Sequence, residues 1–476
     1  MPSKMALPEK LNTINKMLIF PLIYLSSFII SLILFFQKKP DGFLFFVIVG
    51  LPIYTTSLSI CFISGYKTII PFLQSFKEII ILLSTGTVLY YFKREIKLLL
   101  LDKLIISFII LTLLYLFVPS ENYGFTEKLL AFKSLVFFYL LYFLGRYIDL
   151  SKVYLNKYFH FISYVSIASA IVLGFEIFYN THLQTHTGYA IFNDYYYGAK
   201  PEGNYDLSWA FERTDGIKRF ASFYANPLEY GASTLIVLPV IFARYTSQKN
   251  RFIVDRTGIL TILATLMAIS FAVSRASFIS YFFIIYAYSF ITKKKIILHI
   301  LHFLVALILI YLVIQINNKG LAEFIIDSIN LKDTSTIGHI TEWVEGVSTI
   351  IQHPFGLGLG ESGRVANAAG ANVGGENQFI IVGVQLGVIG VLINIAIYIT
   401  TITLSYKWLY QSKGRERKLC MAVLLMKISF IVPLMTSYFE SYTYISFISW
   451  FFTGLLINMI DRKIQKENKP VHVIAN

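Results

Sequence analysis

About thirteen apolar runs, each roughly 15 to 30 residues long, follow one another along the chain with short charged clusters between them. A helix crosses the hydrocarbon core with about 20 apolar residues, whereas an outer-membrane barrel strand alternates over about ten. These runs do not alternate. The chain therefore reads as an all-α, polytopic helical membrane protein with about 12 to 13 transmembrane helices. Composition supports this: 14% of residues are charged and 56% hydrophobic, against about 25% charged in a soluble domain. A Rossmann enzyme, a nucleic-acid binder and a secreted disulfide scaffold are excluded. Cys61 and Cys420 lie far apart inside apolar runs and read as packing residues.

The net charge of +14 follows from the placement of lysine and arginine. Basic clusters fall in every second connection, at 93–103, 146–157, 244–256, 293–295, 407–418 and 462–469. By the positive-inside rule these connections and the C-terminus are cytoplasmic. Lys4, Lys10 and Lys16 precede the first run with no small-residue cleavage site after it, so that span is expected to be retained. Thirteen crossings would leave this lysine-bearing N-terminus outside, so twelve with both ends inside is preferred. Residues 1–476 form one integral membrane domain in this reading, with two long external loops at 180–226 and 315–376. The second loop holds three basic and seven acidic residues, the reverse of the cytoplasmic connections.

Long ordered loops carry function more often than they carry packing. Arg219 stands shortly before Asn226-Pro227, a turn and helix-start signal that places it at the outer mouth of a span. The alternative is an interfacial arginine reaching lipid phosphates. Arg275, in Ser274-Arg275-Ala276-Ser277, interrupts an apolar stretch too long for one span, so it belongs at or below an external turn. In the second loop Ile340, Trp343, Val344, Val347, Ile350 and Ile351 mark one apolar face of a helix that would lie in the interface or cap a cavity. The glycine-rich run Pro354 to Gly363 reads as a flexible turn whose backbone amides approach a ligand. Glu376, before Asn377 at the next span, is either a chemical group or a helix-capping carboxylate. Glu440 sits in the last external turn. Tyrosines crowd the first loop, as sugar-binding surfaces and interfacial belts both do. Glu176 and Lys133 fall within apolar runs.

The order of these segments resembles the O-antigen ligase and polymerase superfamily of bacterial membrane glycosyltransferases, including the Wzy-type polysaccharide polymerases. Arg219 with Asn226-Pro227, Ser274-Arg275, Trp343 with Pro354 to Gly360, and Glu376-Asn377 before Gly387 and Gly390 match the family's motifs in order. His339 stands where the family has arginine, and Glu376 where it has a histidine that marks the ligases; this favours polymerase over ligase. The resemblance implies a polymerase of O-antigen, capsule or exopolysaccharide repeat units at the outer face of the bacterial inner membrane. Its substrates would be undecaprenyl-diphosphate-linked oligosaccharides, one unit's hydroxyl displacing undecaprenyl diphosphate from another. Arg219 and Arg275 would bind the diphosphate, with Glu376, or else His339, as general base and Asn226, Trp343, Asn377 and Glu440 nearby. No cofactor or metal is implied. Partners would be membrane lipids and the proteins that flip the units and regulate chain length, not nucleic acid. Transfer of finished polysaccharide to lipid A core or a wall polymer is the alternative. A flippase or transporter of lipid-linked oligosaccharide is the alternative from another class.

Overall fold

The computed structural model describes residues 18–91, 97–119, 122–213, 216–319, 334–370 and 372–467, and it is all-α among them. The chain begins with α1 (Ile19–Phe36), α2 (Phe43–Ile63) and α3 (Lys67–Val88). Next come α4 (Leu100–Leu114), α5 (Phe125–Val136), α6 (Tyr139–Tyr147) and α7 (Leu155–Phe178). The first long loop contributes two short helices, α8 (Leu183–Thr187) and α9 (Tyr189–Tyr197). It leads into α10 (Pro227–Tyr245), α11 (Arg256–Ala272), α12 (Arg275–Ile291) and α13 (Lys295–Lys319). The second long loop holds α14 (Thr334–Gln352) and the single turn α15 (Arg364–Ala368). Three helices close the chain: α16 (Gln378–Gln411), α17 (Gly414–Thr436) and α18 (Thr443–Glu467).

Seven of these helices are long and apolar enough to cross a membrane, namely α1, α2, α3, α7, α16, α17 and α18. The pair α5 and α6, bent by 46°, makes an eighth if it serves as one span. The protein is therefore a multi-pass membrane protein. The expectation of 12 to 13 crossings differs from this in length and continuity, since every expected apolar run is helical. α4 has 15 residues, α11 and α12 have 17 each, and α10 carries Glu229, Arg244 and an internal Pro239.

The basic connections meet at one end of the bundle, as a common compartment requires. Arg146 donates to the Lys97 carbonyl at 2.9 Å, Arg417 to the Ser247 carbonyl at 2.7 Å, and Lys418 to Asn156 at 3.4 Å. Tyr410 reaches the Ile291 carbonyl at 3.5 Å, and Arg462 pairs with Asp149. Deeper at this end, Arg146 bridges Asp102 at 3.0 Å and Asp461 at 3.2 Å with all three side chains buried, and Tyr142 donates to Asp102 at 2.6 Å. That network ties α4, α6 and α18 together. The same α6–α18 contact is backbone to backbone: a Cβ on Gly145 would lie 2.2 Å from the Phe451 carbonyl, and one on Gly454 2.0 Å from the Tyr142 carbonyl. Without water to expel, membrane helices gain by such close approach of small residues.

Candidate functional site at the end opposite the basic face

Three helices whose C-terminal ends form the basic face begin together at the other end. Asn226 caps α10, accepting from the Glu229 amide at 2.9 Å, with Pro227 in the first turn, where its missing N–H costs nothing. Asn377 caps α16, accepting from the amides of Phe379 and Ile380 at 2.9 and 3.3 Å. α18 starts beside Tyr442. The first long loop is anchored here by Glu176, at the end of α7, which accepts from the amides of Leu183 at 2.9 Å and Ser222 at 2.8 Å. Gln184 adds bonds to the Ser222 and Tyr224 carbonyls at 2.8 and 2.9 Å. Glu176 is thus a loop anchor.

The second loop is anchored by a break in α16. Gly387 has φ 70° and ψ −171°, which unwinds the helix and releases backbone groups. The glycine-rich turn takes them up: Leu357 N donates to the Val384 carbonyl at 2.7 Å, Gly358 N to the Gln385 carbonyl at 3.2 Å, and Val388 N to the Pro354 carbonyl at 2.9 Å. Gly360 N donates to Gln385 Oε1 at 3.0 Å. This corrects the expectation of a flexible turn with amides offered to a ligand, because those amides are consumed by the broken helix. α14 completes the anchor. A Cβ on Gly346 would lie 2.7 Å from the Gly374 Cα, and one on Gly375 would meet the Glu342 carboxylate. Ile340, Val344, Val347 and Ile351 remain exposed along its outer face, as a helix in the membrane interface requires.

Between the two anchored loops lies a cluster of charged side chains and tyrosines. The carboxylates of Glu376 and Glu229 both act on Tyr442, and after burial they are the next causes holding its hydroxyl well above the usual range. Glu229 also acts on Tyr189 of α9, whose hydroxyl is raised chiefly by burial. Lys77 lies within the electrostatic reach of Glu78, Arg364, Lys133 and Glu229. Its ammonium stands 4.5 Å over the Tyr54 ring. Arg364 lies 5.9 Å from the Tyr197 ring centre, and Tyr197 is bonded to Gln74 of α3 at 3.4 Å. Tyr438 joins the Arg364 turn to α5: its hydroxyl, pushed up to about 12 mainly by burial, interacts with Ser134 and with Arg364. Lys133 pairs with Glu78 at 2.7 Å.

The residues singled out from sequence distribute unevenly over this end. Glu376 is exposed, while Asn226 and Asn377 are helix caps. Arg275 is exposed at the start of α12, and Arg219 is half-buried in the loop before α10. Both sit at the α11–α12 turn, since Phe220 N bonds the Phe271 carbonyl at 3.0 Å. Trp343 is half-buried on α14. The side chain of His339 and residues 320–333 lie outside the described residues. Glu440 is enclosed: it accepts from Tyr398, from Ser446 at 2.6 Å and from Trp450 at 3.1 Å, beside the buried Lys427 stacked 3.5 Å over Trp450. Lys77, Glu229 and Arg364 do not stand out in the sequence. The signals present are weak ones: Arg364 is one of three basic residues in an acidic loop, and Glu229 is in the first turn after Asn226-Pro227.

Fold and site together define a multi-pass helical membrane protein with a basic face at one end and, at the other, a cluster of charged side chains and tyrosines between the two long loops. No protein-family model matches this sequence, and no curated protein does at significant similarity.

Proposed function

We propose that the protein is a polymerase of lipid-linked polysaccharide repeat units, working at the outer face of a bacterial inner membrane. The observation that carries this reading is the convergence of both long loops on one cluster where carboxylates, cations and tyrosine rings stand together at the end away from the basic face. Each component has a role in glycan transfer from a polyprenyl diphosphate. A hydroxyl oxygen of one unit forms a bond to the anomeric carbon of another, the bond from that carbon to the diphosphate oxygen breaks, and the hydroxyl proton passes to a carboxylate. Glu376 is the proton acceptor in this reading. Arg219 and Arg275 hold the leaving diphosphate, whose charge grows in the transition state. Tyrosine faces from α9 present apolar surface with a polar edge, the chemistry that sugar rings pack against. The acyl tails stay in the bilayer and the glycans outside it.

The test is to incubate purified protein in lipid nanodiscs with lipid-linked repeat units and resolve the products on a gel. A ladder of increasing length is expected. A single transfer onto a lipid A core acceptor would replace the polymerase reading with a ligase. Unchanged substrate, with movement of the lipid-linked unit across a sealed bilayer, would replace it with a flippase.

A further inference from the structure

The basic face holds a cavity of about 170 Å³ between the end of α10 and the start of α17; a single water needs about 15 Å³. The buried Ala243 and Met421 form its apolar floor, and the exposed Gln248 and Gly414 its mouth. Arg417 and Lys418 line its side. Arg417 is only 9% exposed. Its guanidinium donates to the Ser247 carbonyl at 2.7 Å and to the Asn250 side chain. Both acceptors are neutral, and a guanidinium carries further N–H groups beyond these two. Lys418 likewise reaches only a neutral acceptor, Asn156, at 3.4 Å. Among the described residues no carboxylate lines the cavity. Those on adjoining turns are paired elsewhere, Asp255 with Arg244 at 3.6 Å and Glu416 with Lys463 at 2.5 Å. A second cavity on this face, of about 330 Å³, differs in being lined by Asp149 and Glu416 as well as by cations, with Asp149 paired to Arg462. A guanidinium taken out of water without a counter-charge is costly, and an anion in the smaller cavity supplies one. α17 also starts there with no side chain capping its first turn, so its dipole favours negative charge at the same place.

We infer that this cavity is a phosphate-binding site, filled by the headgroup of an anionic phospholipid from the leaflet at the basic face. Arginine supplies a planar fork and lysine a compact point charge, the pair of shapes that phosphate oxygens accept. Lipid is the source because Arg417 and Lys418 stand at the start of a helix long and apolar enough to cross the membrane, which sets the cavity at headgroup depth. The site is at the opposite end from Arg219, Arg275 and Glu376 and does not depend on the polymerase reading.

The test is native mass spectrometry of the full chain in detergent, titrated separately with phosphatidylglycerol, with phosphatidylcholine of the same acyl chains and with inorganic phosphate. One tightly held phosphatidylglycerol is expected, with phosphatidylcholine, whose headgroup carries no net charge, held about tenfold or more weaker. R417Q/K418Q should lose the tight phosphatidylglycerol. Q248E places a carboxylate at the mouth of the cavity and leaves the bonds of Arg417 in place, so it separates loss of binding from loss of folding; it should weaken phosphatidylglycerol by about tenfold or more. K200Q, in the first long loop, should bind as the wild type does. Equal retention of the two lipids, or wild-type retention of phosphatidylglycerol by Q248E, overturns the inference. Inorganic phosphate held while neither lipid is would overturn the lipid assignment.

Discussion

At the scale of single residues, arginine and glutamate at the end opposite the basic face are separable by experiment. Lysine keeps the charge of arginine and loses its fork. Arg219→Lys and Arg275→Lys should each lower polymer formation 30- to 1,000-fold, about 2 to 4 kcal/mol of transition-state binding, with near-normal expression. Wild-type rates in both would remove these residues from diphosphate binding. Glu376 and Glu440 differ in kind. Because Asn377 already caps α16, Glu376→Gln should leave thermal stability unchanged while abolishing nearly all turnover in the gel assay. A wild-type ladder from that variant would reassign the proton acceptor. Glu440→Gln should instead lower stability by roughly 3 kcal/mol in detergent, since it leaves Lys427 buried without its carboxylate.

At the scale of elements, the docking of the glycine turn into the α16 break decides where Glu376 and Arg364 stand. Gly387 and Gly356 both have positive φ, and a Cβ on either would lie within 2.6 Å of the other segment's backbone. Gly356→Ala and Gly387→Ala should therefore each lower the melting temperature and open the 353–363 segment to protease, whereas Gly86→Ala on α3, with nothing within 4 Å, should do neither. The first loop contains a titratable support. His182 is buried in a cage of Tyr205, Phe211 and Phe220, and burial first, then Lys218, lowers its pKa to about 4 from 6.5. The unfolded loop binds a proton that the folded loop refuses between those values, so loop stability is complete above about 6.5 and is lost as pH falls towards 4. Proteolysis of the 180–226 loop against pH should show that loss, and His182→Phe should flatten it. An unchanged profile in His182→Phe would show that another group titrates.

At the scale of the molecule, the orientation is the claim on which the rest stands. Single cysteines at Lys200 and Lys332, after replacement of Cys61 and Cys420, should react with an impermeant thiol reagent in intact spheroplasts. A cysteine at Asn250, on the basic face with Arg417, should react only after lysis. The reverse pattern would invert the protein and overturn the polymerase proposal. The helices and the clustering of basic connections at one end are legible in sequence because both are local quantities. An apolar run must bury its backbone polar groups in a helix wherever it lies in a bilayer, and lysine placement is counted connection by connection. The caps Asn226 and Asn377 are local too, each bonding an amide two or three residues ahead.

The sequence by itself determined an all-α membrane protein, the places of its helices, its two long loops and a motif order carrying Arg219, Arg275 and Glu376. Tertiary structure alone decided which charges act on one another. Lys77 reads as one lysine near an apolar run and Arg364 as one basic residue in a loop; they come within electrostatic reach of each other where Gly387 unwinds α16 and the Pro354 to Gly360 turn fills the gap. Tertiary structure likewise separated Glu440, enclosed by Tyr398, Ser446 and Trp450, from the exposed Glu376. The physical reason is range. Hydropathy and capping act over a few residues and are written in order along the chain, whereas desolvation and Coulomb interaction depend on distances that only packing sets.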